Sequence, residues 1–359
     1  MPDVGPFRAV RYARPSAAVV APPYDVVSPA EREALAARDP HNVVHLTLDP
    51  SEEEAGRRFR AWLEQGVLVR EQVPAVWALE QDYAGPDGVA RTRAGLVASL
   101  AVEPYERGRV LPHERTHAGP KESRLRLLRA ARAQLEPIFL LYDGDPPLAP
   151  PGRAPDLEVE GTRLWRLEDA AGLDGFFADR PLLIADGHHR YETALAYHAE
   201  ERTPASARIL VVLVSTSDPG LEIFPTHRVF SGRADLRGLA ESGTTDLEGE
   251  LAKLRRHSYA EPAAVAYAGG RARTLTGEAG LLDVELVDRF GQEGIAYTPD
   301  RREAVRRVDE GEADAAFLLR PTRIEDVFER ARRGRLLPQK TTYFFPKLLS
   351  GLLFLPLEP

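Results

Sequence analysis

The sequence predicts a mixed fold of the α/β or α+β class. Apolar runs of strand length alternate along the chain with segments that have helical spacing and helix-forming composition. The 359 residues suffice for two or three domains, and 43% hydrophobic with 28% charged residues is typical of a soluble globular protein. Residues 143–155, rich in Pro and Gly, are the clearest linker. Together these observations predict several α/β domains and not a helical bundle.

The first part of the chain has recognisable start and turn signals. Ser28 and Pro29 are typical of an N-cap and a first helical turn, and Gly85-Pro86-Asp87-Gly88 is typical of a hairpin turn. Strands are predicted at residues 17–22, 43–48, 75–82, 91–102 and 137–142, and helices at 28–38, 52–66 and 121–134.

The second part alternates in the same way. Residues 164–178 are predicted to be partly helical, 208–215 to form a strong strand, and 233–257 to be helical. Short strands are predicted within 262–285, and residues 299–333 are predicted as helix, strand at 315–319, and helix.

Residues 181–195 are the most informative stretch. An apolar run from Pro181 to Ala185 meets the turn Asp186-Gly187-His188-His189-Arg190, and helix-forming residues follow. Gly187 permits a tight turn, and a helix that begins there directs N–H groups without intrahelical partners toward the turn. Beside two histidines and an arginine, such a helix start favours an anion, above all phosphate. The alternative is a structural helix start with ordinary polar residues.

Composition argues against several classes of function. The chain has no cysteine, which removes disulfides, thiolate nucleophiles and cysteine-based zinc sites. A formal net charge of −8 disfavours a protein that coats DNA, because non-specific affinity for nucleic acid needs a basic surface. No apolar run approaches the roughly 20 residues of a membrane span, and residues 1–14 lack a hydrophobic signal core. We therefore expect a cytoplasmic protein without a membrane segment.

Lysine is rare in this chain. Only four of the 47 basic residues are lysine, namely Lys121, Lys253, Lys340 and Lys347. An ammonium is a compact charge that a planar guanidinium cannot always replace against a phosphate oxygen. Lys121, Lys340 and Lys347 stand in Pro-rich contexts and are candidate anion-binding residues, whereas Lys253 lies in an ordinary helical run. The same argument singles out Asn42, the only asparagine.

Residues 111–124 form a second polar constellation. His113, His117, Lys121 and Arg124 surround a Gly-Pro turn, which suits a polyphosphate. A purely structural loop is an open alternative. A metal pair is a weaker one: His113 and His117 have the right spacing, but Pro112 opposes a regular helix there.

Two shorter segments add candidate residues. His227 and Arg228 follow the strand predicted at 208–215 and would bring a further basic pair to the same sheet edge, with a polar strand end as the alternative. Asp25 follows Pro22-Pro23-Tyr24 after a predicted buried strand, where a carboxylate suits a general base or a magnesium ligand.

Five segments together resemble domain-of-unknown-function family 1015 of bacteria and archaea, over the full length of the chain. They are residues 21–26, 113–124, the Asp186 turn, Pro225-Thr226-His227-Arg228 and residues 338–343. The Asp186 turn also resembles the nucleotide-phosphate motif of the ParB/sulfiredoxin superfamily, most closely its free serine kinase branch. No P-loop, dinucleotide fingerprint or His-Glu-x-x-His motif occurs.

This resemblance implies a role for the turn. His188, His189, Arg190 and the backbone of Gly187 would bind nucleotide phosphates. Sulfiredoxin activity is excluded because histidine stands where the reactive cysteine would be. ParB-type DNA binding is disfavoured by the acidic charge and by the lack of a helix-turn-helix pattern.

The kinase branch also needs a carboxylate that accepts a hydroxyl proton. Asp25 is the first candidate and Glu114 the second, and His189 completes the set of candidate catalytic residues.

The resemblance implies a three-part organisation. Residues 10–50 and 160–230 would form a ParB/sulfiredoxin-like core, residues 51–150 an inserted subdomain with the His113–Arg124 loop, and residues 235–359 a C-terminal α/β domain. Lys340 and Lys347 would reach back to the cleft of the core.

We therefore predict a nucleotide-dependent phosphotransferase that uses ATP or ADP with Mg²⁺ and acts on a small hydroxyl-bearing metabolite, with free serine as one candidate. The predicted nucleotide-binding residues are Asp186, Gly187, His188, His189, Arg190, His113, Lys121, Arg124, His227, Arg228, Lys340 and Lys347. Alternatives are a nucleotide-binding regulatory protein with slow or no turnover, a phosphate-ester hydrolase, and an assembly protein in which the motif is only structural.

Overall fold

A computed structural model of the chain describes residues 2–114 and 118–358, with the backbone alone at residues 118–120 and 174. The helices are α1 (Pro29–Arg38), α2 (Val44–Thr47), α3 (Glu52–Glu64), α4 (Ala118–Ala131), α5 (Leu173–Phe177), α6 (His188–Glu201), α7 (Leu247–Arg256), α8 (Asp283–Asp288), α9 (Arg301–Asp309) and α10 (Ile324–Arg332). Short 3-10 helices lie at Tyr24–Val26, Tyr105–Arg107 and Ala234–Leu236.

The strands follow the same chain order. They are β1 (Val4–Gly5), β2 (Val10–Tyr12), β3 (Leu68–Arg70), β4 (Val76–Ala84), β5 (Ala90–Ala101), β6 (Val110–Leu111), β7 (Ala133–Gln134), β8 (Ile138–Tyr142), β9 (Leu157–Val159), β10 (Thr162–Leu167), β11 (Leu182–Asp186), β12 (Arg208–Ser215), β13 (Glu222–Phe224), β14 (His227–Phe230), β15 (Ala263–Ala268), β16 (Arg271–Thr276), β17 (Ile295–Thr298), β18 (Ala315–Leu318), β19 (Tyr343–Phe345) and β20 (Leu355–Pro356).

Two main sheets contain most of these strands, and β2-β3, β13-β19 and β7-β20 form three further pairs. The larger has the order β6-β11-β8-β12-β5-β4-β10-β9, with β1 also paired to β5; β11 runs parallel to β6, and β12 to β8. The second sheet, β16-β15-β18-β14-β17, is antiparallel. A large mixed sheet together with helices confirms the predicted α/β (α+β) class.

The larger sheet is buried on both faces, which explains its continuous apolar strands. On one face Val212 of β12 packs in the cluster that includes Phe59 of α3 and Leu128 of α4. On the other face Val211 belongs to the cluster with Phe177 of α5 and Tyr191 of α6. The strand that carries the Asp186 turn is therefore held between two layers of helices.

Most local signals are confirmed. Helix α1 begins with the predicted cap: the Ser28 hydroxyl accepts the N–H of Glu31 (3.3 Å), and the Glu31 carboxylate accepts the N–H of Ser28 (2.8 Å). The β4–β5 hairpin, strands β8, β11 and β12, and helices α3, α4 and α6 lie where they were predicted, whereas α7 covers only the end of the predicted helix 233–257.

Two predicted strands are wrong. Residues 17–19 form a turn, Ala21 makes only an isolated bridge to Ser350, and residues 44–47 are the short helix α2. Asn42 explains the difference. Its amide donates to the carbonyls of Ala18 (2.6 Å) and Val20 (3.1 Å), and its carbonyl accepts the N–H of Val44 (3.0 Å). This local capping outweighs the strand propensity of the β-branched residues nearby.

The C-terminal segment returns to the first part of the chain. Strand β19 pairs with β13, β20 pairs with β7, and Phe354 bridges to Val10. Strands from residues 51–150 lie in the same sheet as β11 and β12. The division into a core, an insertion and a C-terminal domain stays a prediction. Within the described ranges, no helix has the length and apolar character needed to cross a membrane.

We expect Asn42→Ala to lower the free energy of unfolding by about 3 kcal/mol, because two buried backbone groups and a third, partly buried one lose their partner at roughly 1–3 kcal/mol each. Urea unfolding of the purified protein measures the change. Gln292→Ala is the matched control, since this amide bonds to Asp288 at the surface and its loss should cost less than about 1 kcal/mol. Equal losses in the two variants would contradict a structural role for Asn42.

Candidate functional site

The turn after β11 depends on Gly187. Its φ is +99°, and a Cβ there would lie 2.7 Å from Cγ2 of Ile138, so both the backbone angle and the space require glycine. Helix α6 begins directly after it, and its first backbone bond joins the N–H of Tyr191 to the carbonyl of Gly187 (3.0 Å). The amides of residues 188–190 therefore have no intrahelical acceptor, and the positive end of the helix lies at the turn.

This helix start lines a cleft of about 360 Å³. Four separate stretches of chain form its walls, with lining residues Tyr24, Asp25, Glu114, Ala185, Asp186, Gly187, His188, His189, Arg190, Gln339, Lys340, Thr342, Phe344 and Lys347. The volume falls within the usual range of small-molecule sites. Of the predicted site residues, the structure thus brings together Asp25, Glu114, the turn 186–190, Lys340 and Lys347.

An ion pair joins two of these stretches. Lys347 Nζ lies 2.9 Å from Asp186 Oδ2, and both side chains are about 22% exposed. Burial would raise the pKa of Asp186, but the charges of Lys347 and Arg190 outweigh it and hold that pKa well below its usual range. Asp186 in turn raises the pKa of Lys347 against the opposing effect of burial. Both groups are therefore charged at neutral pH.

Arg190 is anchored beside this pair. One guanidinium nitrogen donates to the carbonyl of Pro137, and another lies 4.0 Å from Asp186 Oδ1. Burial opposes its charge, yet the negative charges of Glu136, Asp186 and Asp25 raise the pKa of Arg190 overall. The cation is thus fixed at the edge of the cleft.

Lys340 differs from Lys347 in its surroundings. It is exposed, its φ is +53°, and it forms no ion pair with any residue that the structure describes. An exposed ammonium on the wall of a cleft can bind an anion without first breaking a salt bridge.

His113 lies behind the cleft and supports it. Its Nδ1 lies 2.7 Å from the carbonyl of Ile184, which can only accept, so Nδ1 carries the proton and Nε2 accepts the hydroxyl of Thr342 (3.1 Å). The backbone N–H of His113 donates to Nε2 of His188 (3.2 Å). Burial lowers the pKa of both rings, most strongly that of His188. Both imidazoles are therefore neutral near pH 7, and neither adds positive charge to the cleft.

Lys121 and Arg124 lie outside the lining of this cleft. Lys121 Nζ pairs with Glu192 at 2.6 Å and so joins α4 to α6. Arg124 donates to the carbonyl of Thr47 (2.8 Å), and its guanidinium lies 4.3 Å from the centre of the Tyr24 ring. Arg124 thus positions the wall residue Tyr24. His117 falls outside the residues that the structure describes.

His227 and Arg228 lie on opposite faces of β14. Arg228 is buried and donates to the carbonyls of Thr226 and Gln339, so it holds the loop that carries Lys340. The Nδ1 atom of His227 accepts the N–H of Leu319 (3.1 Å), and this ring lines a different cleft.

Glu136 was missed by the sequence analysis. Its carboxylate accepts the N–H of Tyr24 (3.0 Å) and the hydroxyl of Ser350 (2.6 Å), and its charge acts on Arg190. The one sequence signal is an acidic residue two positions before the buried strand β8. Tyr24, Thr342 and Phe344 also line the cleft without having been singled out as site residues.

The carboxylates of the cleft do not form a metal cage of their own. In residues 2–114 and 118–358 no three His, Asp or Glu side chains lie close enough together to hold a metal ion. Mg²⁺ usually takes one or two carboxylates together with substrate phosphates and water, and Asp25 and Glu114 on the cleft wall fit that requirement.

The fold and the cleft define a mixed α/β protein with a polar site at a helix N-terminus. Residues 4–280 match the family model described as "Protein of unknown function (DUF1015)", and the chain belongs to this family. The predicted family is thereby confirmed. No curated protein matches the chain.

Several solved structures are similar at low identity. A free serine kinase in complex with AMP is 17% identical with a TM-score of 0.38, covering 66% of this chain and 84% of that one. A conserved hypothetical protein from Pyrococcus furiosus is 17% identical with a TM-score of 0.39, covering 70% and 93%. SbnI with a C-terminal truncation, from Staphylococcus aureus, is 14% identical with a TM-score of 0.43, covering 73% and 87%. These values are too low to assign a function to this chain.

The pKa of His227 predicts a pH-dependent stability. Burial, followed by the charges of Arg301 and Arg228, lowers this pKa from 6.5 to about 4. Above pH 6.5 both the folded and the unfolded imidazole are neutral. As the pH falls below 6.5, only the unfolded chain takes up the proton, so stability is lost until the pH reaches about 4.

We therefore expect the wild type to lose about 2 kcal/mol more unfolding free energy between pH 7 and pH 5 than His227→Asn does. Asparagine cannot be protonated, and its carbonyl can still accept the N–H of Leu319. Urea unfolding at the two pH values gives the difference, and equal losses would argue against a neutral buried imidazole.

Proposed function

We propose that this protein is a nucleotide-dependent phosphotransferase whose donor, ATP or ADP, binds in the cleft at the start of α6. One observation carries the proposal: amides at a helix N-terminus, the exposed ammonium of Lys340 and the exposed carboxylate of Asp25 line the same cleft. Phosphoryl transfer requires anion binding and a proton acceptor in one place, and little else from the protein.

The phosphate-binding role falls to the turn and the C-terminal loop. Amides of residues 188–190 and the ammonium of Lys340 would hold phosphate oxygens. Arg190 and Lys347 both interact with the carboxylate of Asp186, which offsets part of their positive charge. They therefore attract phosphate less strongly than Lys340 does. His189 lines the cleft on the first helical turn and would contact the same phosphates.

The catalytic role falls to a carboxylate. The acceptor hydroxyl oxygen attacks the terminal phosphorus, the bond from phosphorus to the remaining nucleotide breaks, and the hydroxyl proton passes to Asp25, with Glu114 as the second candidate. Both line the cleft, and Asp25 lies on the short 3-10 helix that Glu136 anchors through the N–H of Tyr24. When bound, Mg²⁺ would supply charge neutralisation of the phosphates, and the carboxylate that does not take the proton, Glu114 if Asp25 is the base, would be its protein ligand.

Free serine is the first acceptor to test. The cleft presents carboxylates and an ammonium together, which suits a zwitterion with a hydroxyl group. Hydrolysis of a phosphate ester would use the same groups with water as the acceptor. A regulatory protein would bind the nucleotide in the same cleft and turn it over slowly or not at all.

We expect Lys340→Ala to weaken ADP binding at least tenfold, because a charge-assisted contact to phosphate contributes about 1.5–3 kcal/mol. Isothermal titration calorimetry measures the affinity. Lys253→Ala is the matched control, since Lys253 pairs with Glu250 on the surface of α7, and its affinity should equal that of the wild type. Equal ADP affinity in the two variants would show that Lys340 does not bind the nucleotide. A wild type that does not bind ADP would refute the proposal.

We expect Asp25→Asn to lower phosphoryl transfer to serine or another hydroxyl acceptor at least 100-fold, while ADP affinity changes less than threefold. The loss follows from removal of the proton acceptor with the shape of the side chain retained. Glu114→Gln, assayed in parallel, tests the second candidate. Tight nucleotide binding by a wild type that turns over no acceptor would favour the regulatory function, and release of phosphate without an acceptor would favour the hydrolase.

A further inference from the structure

A second cleft lies apart from the first, on the α7 and α9 side of the second sheet. It has a volume of about 610 Å³, larger than the cleft at α6. Residues 86–88, the turn of the β4–β5 hairpin, close it from the side of the larger sheet. A ligand in this space would therefore touch both sheets.

The walls of this second cleft are rich in arginine. Arg301 pairs with Glu248 (3.3 Å) and Arg320 with Asp283 (2.6 Å), so these two are neutralised. Arg255 and Arg302 also line the cleft, are exposed, and form no ion pair with a residue that the structure describes.

The acidic residues of the lining offset only one of these two cations. Asp87 is bound to Arg91 at 2.7 Å, and Asp300 accepts the N–H of Arg302 at 2.8 Å as the cap of α9. With Arg255 and Arg302 set against Asp300, the described lining of the second cleft presents a net positive charge of one.

A buried donor faces the same space. His227 is only 4% exposed and lines the second cleft. Because its Nδ1 accepts the N–H of Leu319, and because burial keeps its pKa near 4, the ring is neutral with its proton on Nε2. That Nε2–H has no partner among the described residues. Nε2 opens to the cleft, so a bound acceptor would take the place of water as the partner of this donor.

The remaining walls are apolar. Phe224, Leu251, Leu254 and Leu319 line the second cleft together with several prolines, which restrict the backbone. A ligand complementary to this lining would carry an anionic group for the arginines and an apolar body for the apolar side chains.

We propose that the second cleft binds a small organic acid, a carboxylate or a phosphate monoester with an apolar body, through Arg255, Arg302 and the Nε2–H of His227. The apolar body lies against Phe224 and Leu254. This site is independent of nucleotide binding at α6, and the ligand joins the β4–β5 turn to the second sheet.

Calorimetric titration of the full-length protein with phenyl phosphate, benzoate and inorganic phosphate tests the proposal. We expect phenyl phosphate or benzoate to bind at one site per chain, and inorganic phosphate at least tenfold more weakly because it leaves the apolar wall unused. The tighter of the two aromatic acids identifies the anionic group. Arg302→Gln and Arg255→Gln should each weaken binding of that acid at least tenfold.

Arg256→Gln provides the matched control. It removes the same charge from the next residue of α7, outside the cleft, and should change the affinity less than twofold. His227→Asn removes the Nε2–H donor, retains an acceptor for Leu319, and should weaken binding as well. The proposal is overturned if neither aromatic acid binds, if Arg256→Gln weakens binding as much as Arg255→Gln, or if Lys340→Ala abolishes binding while Arg302→Gln leaves it unchanged.

Discussion

The ion pair between Asp186 and Lys347 is the contact on which the cleft at α6 depends. It joins the turn after β11 to a residue 161 positions further along the chain. Breaking such a partly buried pair leaves an uncompensated charge, so each partner stabilises the position of the other. This contact fixes the C-terminal segment that carries Lys340 relative to the N-terminal amides of α6.

Further contacts hold the same C-terminal segment in place. The N–H of Leu337 donates to the carbonyl of His113 (2.7 Å), and buried Arg93 donates to the carbonyl of Pro346 (2.9 Å). Burial lowers the pKa of Arg93 to about 10, and its guanidinium lies 4.6 Å from the centre of the Phe139 ring with no carboxylate partner in residues 2–114 and 118–358. An arginine buried in this way remains charged at neutral pH, and it gives the end of the chain a fixed position against β8.

The sequence predicted what local signals encode. An apolar run, a glycine and helix formers stand within one short segment, so the turn and the start of α6 were predictable. The scarcity of lysine indicated Lys340 and Lys347, which line the cleft. It indicated Lys121 equally, and this residue pairs with Glu192 outside the cleft. The rarity of a residue type therefore does not predict where the residue lies in the fold. Asn42 caps the segments at residues 17–22 and 43–48, which β propensity had predicted to be strands. Glu136 was not predictable, because its position beneath Tyr24 arises only from contacts between distant parts of the chain.

One wall of the cleft at α6, which includes Lys347, is formed by residues that are synthesised late. Domains generally fold as synthesis proceeds, with the N-terminal parts first. The strands of the larger sheet are complete once Ser215 has left the ribosome, yet one wall of the cleft is still missing until residues 339–347 follow. A chain that ends before residue 339 would lack this wall and also Phe344, Leu352 and Phe354, which pack in the cluster on one face of the larger sheet, so the binding site and that part of the core form together.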